Sequence, residues 1–126
     1  MATEPAAVRQ GDAPQLEAPA GRIEVLPRAI ATIAARAACA CEGVVALAAP
    51  APGDGGAEAL PLAEAHRGVV VHVHGATLTV EAAILVAYGA PIAPVAQAVQ
   101  GRVWGALERA LGQPPASVII RVQGVR

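Results

Sequence analysis

Apolar positions recur in this chain with two different periods, and the switches between them divide it into elements. "GRIEVLP", starting at Gly21, alternates, with Ile23 and Val25 on one side and Arg22 and Glu24 on the other, as on a short strand. Pro27 sits where the first turn of a helix tolerates proline, and from Pro27 to about Cys41 the period is helical. Ile30, Ile33, Ala34, Ala37 and Cys41 form its apolar stripe, while Arg28, Thr32, Arg36 and Cys39 fall opposite. Gly43 stops the helix, and "VVAL" reads as a strand too apolar to be solvated on both faces. "RGVVVHVH" and "ATLTVEAAILVAYG" are two further strands separated by Gly75, close enough to form an antiparallel hairpin. In the second of them Leu78, Val80, Ala82, Ile84 and Val86 share one face, and Thr77, Thr79, Glu81, Ala83 and Leu85 share the other. After Tyr88 and Gly89, the stretch Pro91 to Leu111 predicts the longer helix, with Val95, Val99, Val103, Ala106, Leu107 and Ala110 as its buried stripe. Gly112 caps it, Pro114 and Pro115 forbid its continuation, and "SVIIRVQGV" is the closing strand.

The order strand, helix, three strands, helix, strand predicts an α+β fold: a single two-layer domain with two helices on one face of a mixed or antiparallel sheet. Residues 1–20, rich in Ala, Pro and charge without apolar periodicity, read as a disordered leader, and the domain spans 21–126. Within it, the Pro-, Gly- and acid-rich stretch at about 49–66 reads as a flexible loop.

Composition narrows the function. A chain of 126 residues that is 55% hydrophobic has enough apolar mass for one core. Nine basic and ten acidic residues, scattered without blocks, create no field that would gather nucleic acid or anionic lipid. The N-terminal stretch has no apolar segment of the kind a secretion signal needs, and two Cys fit a reducing compartment, so a cytoplasmic protein is expected. Ala29 to Ala49 is long enough to raise the question of a membrane span. Arg36 and Glu42 would then lie at depth, each costing about 2.5–3.5 kcal/mol, so no direct insertion is expected.

The candidate chemistry is thin. His72 and His74 share a strand face and would chelate zinc if a third ligand arrived from elsewhere, but no His, Cys or carboxylate sits at a supporting spacing. The pair is therefore read as two imidazoles on a solvated face, with no metal and no cofactor expected. Cys39 and Cys41, two apart on a helix, point about 200° from one another and cannot grip one ion. Cys41 is read as a small core side chain and Cys39 as an exposed thiol with no catalytic partner. Most of the eight Glu and two Asp fall in the leader, the loop and wet helix faces; Glu24, Glu42 and Glu81, in or near ordered elements, are far apart in sequence. No enzyme is indicated.

One residue stands out as a recognition feature. Trp104 lies one step, about 100°, round from the stripe Val95, Val99, Val103 and Leu107, on the flank that also carries Gln97, Gln100 and Glu108. It is either a lid over the helix edge or, with Gln100 and Glu108 as its polar surround, a contact for another protein, since Trp is enriched at interaction hot spots. A sheet with helices on one face only must also dispose of its edges and its other face, which favours self-association.

The segments "GRIEVLPRAIATIAARAACACEGVVAL", "VEAAILVAYGAPIAPVAQAVQGRVWGALERALG" and "ASVIIRVQGV" together resemble the alkaline shock protein family of envelope stress response proteins. The resemblance covers nearly everything after residue 20. It rests on the Glu42-Gly43-Val44 junction, on Tyr88-Gly89 followed by a helix bearing Val95, Val99, Gln100 and Val103, and on the final Gly124-Val125. The resemblance implies a cytoplasmic, non-enzymatic protein of cell-envelope homeostasis. It also implies self-association and, in some members, a place at the membrane through a membrane-anchored partner; no catalytic residues come with it. The alternatives are a small RNA-binding α+β module, which would want a basic groove or more stacking aromatics than Tyr88 and Trp104, or a metal-dependent enzyme using His72 and His74.

Overall fold

The computed structural model describes residues 15–18, 20–49 and 58–126. Strand β1 (Gln15–Ala18) pairs antiparallel with β2 (Gly21–Glu24), from Gln15 opposite Glu24 to Ala18 opposite Gly21. Two expectations change here. Strand β1 lies inside the stretch read as a leader, and β2 is not a strand of the main sheet. Ile23 and both its neighbours on β2 are exposed, and one apolar side chain on a four-residue strand gives too little burial to dock it. Residues 1–14 and the Pro/Gly-rich part of the expected loop, 50–57, lie outside the described residues.

Helix α1 (Pro27–Cys39) opens with proline at its first turn and buries Ile30, Ala31, Ala34, Ala35 and Ala38, while Ile33 and Ala37 pack half-buried at the edge of the core. The stripe is thus rotated from the expected one toward Ala31, Ala35 and Ala38, which lie to one side of Ile30 and Ala34 on the helix and are small enough to go under as well. Gly43 (φ 94°) turns the chain from α1 into β3 (Val44–Leu47). A Cβ at Gly43 would stand 2.7 Å from Val95 Cγ2 of the second helix, so both the left-handed backbone and the close approach demand glycine.

Past Leu47 the chain continues to Ala48, bridged to Ala59, and after a 3-10 turn at Leu62–Gly68 it enters β4 (Val69–His74). The two-residue turn Gly75-Ala76 leads into β5 (Thr77–Val86), then α2 (Ile92–Leu111) and β6 (Ser117–Val125). Gly112 closes α2 in the left-handed conformation, its N–H donating to the Glu108 carbonyl at 2.9 Å.

β5 is the axis of the sheet. On one edge it pairs antiparallel with β4 over Thr77–Ala82 and with β3 over Ile84–Val86, the two short strands following end to end. On its other edge β6 runs parallel to it from Thr79 opposite Ser117 to Val86 opposite Val125, and α2 supplies the long crossover that parallel pairing requires. The sheet is mixed. Its even-numbered β5 residues meet α1 and the α2 stripe Val95, Val99, Val103, Leu107 and Leu111 in one core, and Ala106 and Ala110 prove peripheral to that stripe. A second, small cluster of Ala48, Ala83 and Leu85 is buried on the opposite face, so Ala83 and Leu85 are not on a wholly wet face.

Candidate functional site

The flank of α2 that carries Trp104 lies beside the first residues of β6. With Val103 and Leu107 buried, the helical step brings Trp104 out to the boundary, 37% exposed. Gln97, Gln100, Gly101 and Trp104 from α2 and Ala116, Ser117 and Val118 from the entry to β6 line a groove of about 450 Å³. A Cβ added at Gly101 would meet nothing within 4 Å, which keeps the groove open beside the indole. Gln100 is not a free polar contact: its Nε2 donates to the Val118 carbonyl at 2.8 Å and ties the helix to the strand. Glu108, one turn past Trp104, is exposed and does not line the groove. Of the three residues singled out on this flank, Trp104 and Gln100 therefore share one concavity and Glu108 stands outside it.

The sheet face turned away from α1 and α2 presents a second constellation. His72 Nε2 lies 3.2 Å from Glu81 Oε2, and Arg121 Nε forms an ion pair with Glu81 Oε1 at 3.3 Å, so one carboxylate on the central strand is contacted from both neighbouring strands. Spacing along the sequence hid this. The signal was the two-residue turn: it sets His74 opposite Thr77 and hence Val70 opposite Glu81, which leaves Glu81 on the diagonal from His72. His74 points from the same strand face but is exposed and does not join them. Among the described residues no group of three or more His, Cys, Asp or Glu is placed to hold a metal ion. With both its oxygens engaged, Glu81 serves as an internal counter-charge.

Both cysteines are free thiols. Cys41 is buried, with its Sγ 3.5 Å from the Ala37 carbonyl and 4.0 Å from that of Ala98. Cys39 is half-buried rather than exposed, because β3 folds back beside the end of α1 and brings the Leu47 backbone to it. Burial pushes both thiols up, opposed at Cys39 by the Leu47 backbone and at Cys41 by Arg102. A thiol held protonated is a poor nucleophile.

No helix among the described residues is long and apolar enough to cross a membrane. Residues 15–126 match the alkaline shock protein 23 family, described as having a cell envelope-related function. The uncharacterized protein YloU of Bacillus subtilis (strain 168) is 36% identical over 107 residues, which cover 84% of this chain and 89% of that relative. No solved structure matches the chain. With the family pattern running from β1 to the last strand, the chain belongs to the alkaline shock protein 23 family, a family of cell envelope-related function.

Proposed function

We propose that this protein is a non-enzymatic, self-associating scaffold of the envelope stress response. Its proposed partners are a second copy of itself and a membrane-anchored protein that recruits it from the cytoplasm. The observation that carries the reading is Trp104: a large aromatic side chain left 37% exposed beside an open groove, in a chain whose aromatic content is 2%. Aromatic anchors in a concavity with a polar rim are the usual seat of binding energy between proteins. Gln97 and Gln100 supply that rim, and Glu108 lies one helical turn beyond it. The edge of β6 adds to the argument, since β5 is its sole neighbour among the described strands and it exposes Ile119, Val122 and Val125.

Replacing Trp104 with Ala and measuring sedimentation velocity together with thermal unfolding tests the reading. Loss of association with the melting temperature nearly unchanged is the expected result. A large fall in melting temperature with assembly intact would return Trp104 to the core, and a wild-type chain that stays monomeric at high concentration would remove self-association altogether.

A further inference from the structure

A cationic notch lies on the side of the molecule formed by α1 and the 3-10 turn. Arg28, Thr32 and Arg36 recur every four residues down one face of α1, and His66 faces them from the Leu62–Gly68 turn. Ala35 and Ala65, both buried, complete the lining together with Ala63 and the exposed Leu62 at the rim. The space is about 130 Å³, enough for a tetrahedral oxyanion and too small for a nucleoside.

Charge is what distinguishes the notch. None of its lining residues is acidic, and among the described residues no carboxylate pairs with Arg28, Arg36 or His66. The nearest acid in sequence, Glu64, is turned onto Arg67. Arg28 and Arg36 are separated by about 12 Å along the helix axis and both line the notch. Arg36, in the last turn, sits where the helix dipole favours a cation. Arg28, in the first turn, sits at the positive end, where a cation costs about 0.3–1 kcal/mol and where the helix carries neither an acidic residue nor a side-chain cap. The Thr32 hydroxyl donates to the Arg28 carbonyl at 2.9 Å, so recognition falls to the guanidinium groups and the imidazole.

The geometry points to this notch as a binding site for a phosphomonoester group, held in a fork by Arg28 and Arg36 with His66 as the third donor. A planar guanidinium matches two phosphate oxygens at once, and an anion here relieves the repulsion between the two arginines and the mismatch of Arg28 with the helix dipole. The group arrives either on a small soluble molecule or on the headgroup of a lipid.

Calorimetric titration of the full chain with inorganic phosphate and with glycerol phosphate, at fixed ionic strength in chloride, tests the site. One saturable site per chain is expected. Arg28→Gln and Arg36→Gln should each weaken it about tenfold, the effect of losing one charge-assisted hydrogen bond, and the double variant should abolish it. Arg109→Gln, an exposed arginine of α2, serves as the control and should bind like the wild type. Circular dichroism confirms that each variant is folded, and Arg36→Lys, which keeps the charge and loses the fork, should fall between. Co-sedimentation with phosphatidylcholine vesicles, with and without phosphatidic acid, separates the sources: binding restricted to the soluble phosphates assigns a soluble ligand, and Arg28-dependent capture by phosphatidic acid assigns a lipid. Absence of saturable binding to every one of these probes, or binding that survives the double variant, would overturn the proposal.

Discussion

On one side of the sheet Val80, Ala82 and Ile84 of β5 vanish beneath α1 and α2; on the other, the residues between them follow a different logic. Thr79 and Glu81 stay half-exposed, and Glu81 is organised by His72 and Arg121 from the flanking strands. The first face is held by removal of apolar surface from water, at about 1.5–3 kcal/mol for each fully buried large side chain. The second is held by charge pairs that water screens, with a typical contribution of about 0–1 kcal/mol. One strand thus carries the stability of the domain on its even residues and leaves its odd residues available for other use, except at the far end, where Ala83 and Leu85 join Ala48 in a dry cluster of their own.

The sharpest way to break that contrast is to cut into the first face. Leu107→Ala removes a completely buried side chain from α2 and should lower the unfolding free energy by about 2–5 kcal/mol, read from denaturant titration. Thr79→Ala on the second face should stay within about 0.5 kcal/mol in dilute protein. A Thr79 effect that grows with protein concentration would mean that another copy covers the open face.

Glu81→Gln is next in size. Losing the carboxylate that His72 and Arg121 both contact should cost about 1 kcal/mol or less, and the part due to the Arg121 ion pair should shrink as salt is added. A double-mutant cycle with Arg121→Gln isolates the pair; coupling much larger than about 1 kcal/mol would show that the open face is far drier than its exposure implies.

The smallest expected effect belongs to the thiols. The folded protein keeps both protons past the ordinary thiol value of 9.0, whereas the unfolded chain releases them from there, so this contribution is complete below pH 9.0 and is lost as the pH rises beyond it. Stability should therefore decline on the alkaline side, and Cys41→Ala should make that decline shallower in thermal melts taken across pH 8 to 10.5. An unchanged slope would show that the Cys41 thiol titrates normally in the fold.

The periodic elements were legible because their physics is local. The stripe Val95, Val99, Val103 and Leu107 follows from helical spacing alone, and the even residues of β5 follow from alternation. Pairing across distance was not legible. That β2 pairs with β1 and leaves the sheet depends on a strand of low apolar content whose partner is Gln15–Ala18, and that β6 lies parallel to β5 depends on where α2 deposits it. At the candidate site, the position of Trp104 on its helix was readable, but the bond that commits Gln100 to Val118 was not, since its partner is a backbone atom of another element. The ladder through Glu81 falls between these cases: a register argument from Gly75-Ala76 reaches His72, and nothing local reaches Arg121.

The placement of β5 also matters while the chain is being made. This ten-residue strand, "TLTVEAAILV", is complete before the partner on its second edge exists, because β6 emerges only after α2 and its flanking turns. Residues 87–116 must be made before β6 begins, so at about 5–20 residues per second the ribosome leaves that flank of β5 unpaired for about 1.5–6 seconds. A nascent chain in this interval offers a long, apolar, hydrogen-bond-ready strand to any neighbour on the same messenger. Slow codons within α2, or a premature stop before Ser117, should therefore send the product toward aggregates and proteolysis far more readily than the same faults placed upstream of β4.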